Sequence, residues 1–98
     1  LSNLTGGLSG PCIRPVAVRC VFDIFRATHL PVIGMGGIAS GHDAVEFMMA
    51  GAAAVSIGTE NFVRPDAATV ILDEMIDYCC THGISHIRDL TASVQIPE

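Results

Sequence analysis

Two short apolar runs, "PVIGM" at 31–35 and "AAAVSIG" at 52–58, constrain this chain more than any other feature in it. Each is too short for a helix, rich in small or β-branched residues, and free of polar alternation. That pattern is a strand covered on both faces. Each run passes through a glycine turn into a helical segment. Strand, helix, strand, helix in that order argues the α/β class, a parallel sheet with right-handed crossovers. The strands are expected at about 31–35 and 53–57, parallel and adjacent.

The helices follow from spacing. Val18, Val21, Phe22 and Phe25 recur at i, i+3, i+4 and i+7, with Arg19, Asp23 and Arg26 opposite, predicting a helix over 15–28. Pro15 suits its first position. Ser40 is placed to cap the next helix, with Asp43 completing a weak capping box. Ala44, Val45, Met48 and Met49 form its inward stripe, and Gly51 stops it in a left-handed conformation. "TENFV" predicts one helical turn. Pro65 and Asp66 open a long helix over about 66–82, with Ala68, Ile71, Leu72, Met75 and Cys79 inward and Asp73 and Asp77 outward. Gly83 ends it. Ser85 opens a last short helix to about Ala92, and "VQIPE" reads as an irregular tail.

Composition decides how much of a fold this is. Half of the 98 residues are hydrophobic and only 15% are charged. A chain of this length exposes much of its surface, and two strands do not make a stable sheet. The expectation is a piece of a larger domain with faces meant to be covered. The net charge is −5 and the five basic residues are scattered, which argues against nucleic acid. No run reaches the ~18 apolar residues of a membrane span, and no signal peptide is visible. Cys12, Cys20, Cys79 and Cys80 fit neither a disulfide framework nor a C-x-x-C ligand pair; they read as reduced thiols of a cytoplasmic protein.

Both strands end in glycine: "GMGG" after the first and "GT" after the second. In parallel α/β folds, ligands bind beyond the carboxyl ends of the strands. Glycine there bares backbone N–H groups, and a following helix N-terminus favours an anion. In barrels a phosphate sits at the loops after the last two strands, beside a short extra helix. Gly36, Gly37, Gly58 and Thr59 therefore read as a phosphate cradle, with "TENFV" as the extra helix. Glycines after strands also serve as plain turn formers; two such turns in consecutive units favour the cradle. The dinucleotide fingerprint G-x-G-x-x-G is not met, because Ala39 stands at its third glycine.

Taken in order, "NLTGGLSGPCIRPVAVR", "PVIGMGGIASGHDAVEFMMAGAAAV" and "IGTENF" resemble the dihydroorotate dehydrogenase family, in particular the catalytic subunit of its class 1B, NAD-linked enzymes. The resemblance covers about residues 3–80. It implies the C-terminal part, about strands 7 and 8 with flanking helices, of an FMN-binding (β/α)8 TIM barrel, with 1–98 as a portion of that single domain. It implies FMN-dependent oxidation of dihydroorotate to orotate in pyrimidine biosynthesis. Gly10 of "LSGP" matches a flavin-contacting glycine, Gly36 and Gly37 a pair that binds the FMN phosphate, and Gly58 and Thr59 a second pair. The family's catalytic cysteine, lysine and orotate-binding asparagines lie on earlier loops, so no catalytic residue is expected here and the chain alone is expected to be inactive. A partner subunit with FAD and a 2Fe-2S cluster, and a homodimer or heterotetramer, are further implications. The family's usual "GPAIKP" reads here with Cys12 and Arg14, and a guanidinium is a different donor from an ammonium.

The remaining candidates read as structure. Cys79, Cys80, His82 and His86 match no common zinc spacing, so no metal is expected. His42 with Asp43 reads as a solvated first turn, His29 as a loop residue, and Met35, Met48 and Met49 as core filler. Three other readings stand beside the first. They are the flavin domain of a dihydropyrimidine dehydrogenase, a flavin-free phosphate-binding isomerase or lyase, and a non-catalytic binding module. "GMGG" followed by "IGT" disfavours the first, "LSGP" before the helix disfavours the second, and no groove, charge stripe or aromatic cluster supports the third.

Overall fold

In a computed structural model, which describes residues 4–94, α1 (Arg14–Thr28) follows an extended loop and a 3₁₀ turn, Pro11–Ile13. Then come β1 (Ile33–Met35), α2 (Gly41–Ala50), β2 (Ala54–Ser56), the single turn α3 (Glu60–Val63) and α4 (Ala67–Thr81). A second 3₁₀ turn, Ile87–Leu90, stands where a short helix to Ala92 was expected. Of the tail, Val94 is described and 95–98 lie outside the described residues. β1 and β2 are parallel neighbours in register Ile33↔Ala54, Gly34↔Val55 and Met35↔Ser56. The expected pairing holds; β1 begins two residues later than expected and ends at Met35 as expected, and β2 is one residue shorter at each end.

The helix signals act as local chemistry dictates. Ser40 Oγ accepts the Asp43 N–H at 3.2 Å, capping α2. Asp43 Oδ2 accepts not from the cap residue, as in a standard capping box, but from the Ala39 N–H before it, at 3.0 Å. Gly51 ends α2 with φ +140°, and Gly83 follows α4 with φ +68°. His29 closes α1 in the left-handed region, its ring stacked on Phe25.

The core lies between the helices and one face of the two-stranded sheet. Phe47, Ala44, Met48, Ala52, Ala67 and Ile71 are its most enclosed members, joined by Leu90 from the second 3₁₀ turn. Met49 is half-buried, while Met35 is exposed. The expectation that both strands are covered on both faces is corrected. Gly34 points at Phe47 and is buried, but Ile33 and Met35 are 67% and 60% exposed. Side chains alternate along a strand, and the second face carries no layer among the described residues. The inward stripe of α4 is borne out at Ile71 and Met75, which are buried, with Cys79 half-buried, and corrected at Ala68 and Leu72, which are exposed while Ala67 is buried in their place. The reason is a close helix crossing at Gly41. A Cβ there would run into Glu74 and the Met75 backbone nitrogen, so α2 meets α4 along a narrow i, i+4, i+8 line.

Candidate functional site

At the carboxyl end of the sheet, the β1–α2 loop, the β2–α3 loop and the loop before α1 converge. A small cavity of about 40 Å³ there is lined by Gly10, Gly37, Ala39, Thr59 and Glu60, among others. Three of the five glycine-turn positions picked from sequence, Gly10, Gly37 and Thr59, thus share one space.

The other two stand apart, for different reasons. Gly36, at φ +120°, backs onto the beginning of α1: a Cβ would lie 3.0 Å from Ala17 Cβ and 3.2 Å from Ile13 Cδ1. Gly58 is exposed, outside the left-handed region, and a Cβ on it would meet nothing within 4 Å. Gly37, at φ +75°, is closed in by protein. Its Cβ would lie 2.8 Å from the Gly10 carbonyl oxygen and 2.9 Å from the Arg14 backbone nitrogen. A Cβ at Gly37 would therefore enter the loop before α1 and the start of that helix. Gly10 itself sits at φ +91° with open space around it.

The donor set suits an anion. Among the described residues, the N–H groups of Gly37, Gly58 and Thr59 find no protein acceptor. The N-terminus of α2 offers less than its position suggests, because the Asp43 carboxylate already occupies it. That carboxylate is in turn matched by Arg14, whose Nη1 lies 2.9 Å from Asp43 Oδ1. Arg14 Nε, 3.6 Å from Glu46, is the one buried side-chain nitrogen without a hydrogen-bond partner among the described residues.

A second arginine, missed in the sequence, crosses the site. Arg64 Nη2 donates to the Ala39 carbonyl at 2.7 Å and Arg64 Nε to Glu60 Oε1 at 2.9 Å. The Glu60–Arg64 half is an i,i+4 pair that sequence spacing could have flagged. The bond to Ala39, 25 residues away, had no local signal. Cys12 is exposed, its thiol near the Ser9 carbonyl. Away from the site, His42, Tyr78 and His82 form an aromatic column, with Tyr78 and His82 stacked at 4.1 Å. Among the described residues no cluster of three or more metal-ligating side chains forms, and no helix is long and apolar enough to cross a membrane.

Comparison with known proteins agrees with this geometry. The dihydroorotate dehydrogenase family model matches residues 1–78. The catalytic subunit of dihydroorotate dehydrogenase B (NAD(+)) from Parabacteroides distasonis is 49% identical over 96 residues, covering 98% of this chain and 32% of the relative. That from Porphyromonas gingivalis is 53% identical, with 98% and 31% covered. The chain spans about a third of the length of the curated relatives it matches. Two crystal structures of DHODH from Eimeria tenella superimpose at 33% identity. The complex with ferulenol has a TM-score of 0.85, covering 91% of this chain and 24% of that one. The ligand-free form has a TM-score of 0.87, with 95% and 27% covered. The expectation of parallel βα units from such a barrel is borne out by these neighbours.

Proposed function

Because the chain belongs to the dihydroorotate dehydrogenase family, we propose that it forms the FMN-phosphate grip of a barrel that oxidises dihydroorotate to orotate in pyrimidine biosynthesis. The observation that carries this reading is the convergence of Gly10, Gly37 and Thr59 on one cavity, together with the N–H groups of Gly37, Gly58 and Thr59, which find no protein acceptor among the described residues. A phosphate dianion needs several N–H donors converging without side chains between them, and these turns supply them. Gly37, Gly58 and Thr59 hold the phosphate through backbone N–H groups, and Gly10 borders it on the side of α1. Gly36 serves by letting the turn lie against α1. When bound, the flavin supplies the hydride-accepting centre of the oxidation.

In this reading residues 1–98 are one portion of a single (β/α)8 domain, and no residue of the chain contacts the reacting carbons. The chain by itself turns over no dihydroorotate. The names of the relatives, a catalytic subunit of an NAD(+)-dependent enzyme, support a separate electron-transfer subunit. We assign FAD and a 2Fe-2S cluster to that subunit, a homodimeric or heterotetrameric assembly to the whole, and a cytoplasmic location.

The test is direct. Full-length protein carrying this sequence is purified, its visible spectrum is taken, and dihydroorotate is added without oxygen. The expected result is a flavin spectrum that bleaches with dihydroorotate. A colourless protein that neither binds added FMN nor oxidises dihydroorotate would overturn the proposal.

A further inference from the structure

The peptide of Ala39 is gripped from both sides. Its N–H donates to Asp43 at 3.0 Å and its carbonyl accepts from Arg64 at 2.7 Å. Each grip continues outward through an ion pair, Asp43 to Arg14 at 2.9 Å and Arg64 to Glu60 at 2.9 Å. One unbroken path therefore runs Arg14–Asp43–Ala39–Arg64–Glu60, from the first residue of α1 across the β1–α2 loop to the first residue of α3. It joins the three segments that surround the glycine cavity.

Glu60 makes the path matter for an anion. Its side chain is only 13% exposed and it lines the cavity with Gly37 and Thr59. An uncompensated carboxylate there would repel a phosphate in surroundings that screen it little. Arg64 neutralises that charge and spends its second nitrogen on Ala39, so one planar fork fixes the spacing of both glycine loops.

We infer that Arg64 is a positioning residue for phosphate binding, holding the two glycine loops in register while cancelling the Glu60 charge. This rests on the reading of the cavity as the FMN-phosphate site. Arg64→Met keeps the length of the side chain and removes both the charge and the fork. It is expected to weaken FMN binding by about tenfold or more, the scale of a charge-assisted hydrogen bond. Glu60→Gln in the same background removes the stranded charge and recovers a large part of that loss. A merely structural arginine would not be rescued by that change. Arg64→Lys, with a charge but no fork, falls between the two and carries the test if Arg64→Met does not fold.

The measurement is FMN affinity of the flavin-stripped full-length protein by fluorescence quenching, with circular dichroism on every variant. Affinity unchanged in Arg64→Met, or unrecovered in Glu60→Gln/Arg64→Met, would overturn the positioning role alone. An unmutated protein that binds no FMN would overturn the site assignment and this inference with it.

Discussion

At the end of β1, a Cβ on Gly37 would lie 2.8 Å from the carbonyl oxygen of Gly10; at the end of β2, a Cβ on Gly58 would meet nothing within 4 Å. The two turns look alike in sequence, and glycine is needed in them for different reasons. The first turn is crowded by its own protein. Positive φ at Gly36 and Gly37 lets the chain fold under α1 and against the loop before it. The second turn has neither positive φ nor crowding. No contact among the described residues accounts for its glycine; in the function proposed above, the phosphate does. A glycine after a strand is thus evidence for a binding site only where neither its conformation nor its neighbours already require it.

This contrast separates stability from binding, and substitutions break it apart. The largest loss of stability is expected at Gly37→Ala. The new Cβ collides with backbone that cannot rotate away, at a φ that costs an L-residue energy in any case. A loss of about 2–4 kcal/mol is expected, read as a lower midpoint in urea unfolding of the full-length protein. Flavin loss in this variant would follow from displacement of the loop before α1. A midpoint unchanged from the unmutated protein would mean that the first turn is as open as the second.

Gly41→Ala tests whether crowding alone, away from the cavity, leaves binding intact. It forces α2 and α4 apart and is expected to cost about 1–3 kcal/mol, with flavin still bound at full stoichiometry. Ser40→Ala is milder. Losing the N-cap costs about 1 kcal/mol, while the Asp43–Ala39 bond still holds the loop, so FMN affinity should change less than twofold. A large drop in affinity in either variant would show that the end of α2 contributes to binding directly.

Much of the fold was legible because its causes are local. The positions of α1, α2 and α4, the cap at Ser40, the stop at Gly51 and the parallel βα order rest on periodicity and end chemistry within a few residues. The rest depends on partners distant in sequence. Ile33 and Met35 look like core residues, and among the described residues no layer covers them on their face of this sheet. The inward line of α4 is set by where Gly41 lets α2 approach, which the pattern of α4 itself does not encode. In the candidate site, the positions of the glycines were legible and their reasons were not. Gly36 and Gly37 differ from Gly58 in their positive φ and in the crowding by Ala17, Ile13, Gly10 and Arg14, all folded back from earlier in the chain. Arg64 was passed over because its decisive bond reaches across 25 residues.

The central claim is that a phosphate fills the open space at Gly58, and Gly58→Val tests it most directly. The side chain enters solvent-open space on a backbone that accepts it, so stability should stay within about 0.5 kcal/mol of the unmutated protein. Flavin per mole of purified full-length protein is measured by visible absorbance, beside the urea midpoint. The account expects an unchanged midpoint with nearly all FMN lost. A full complement of FMN on a normally folded Gly58→Val protein would contradict it, leaving the second turn, like the first, a matter of chain geometry alone.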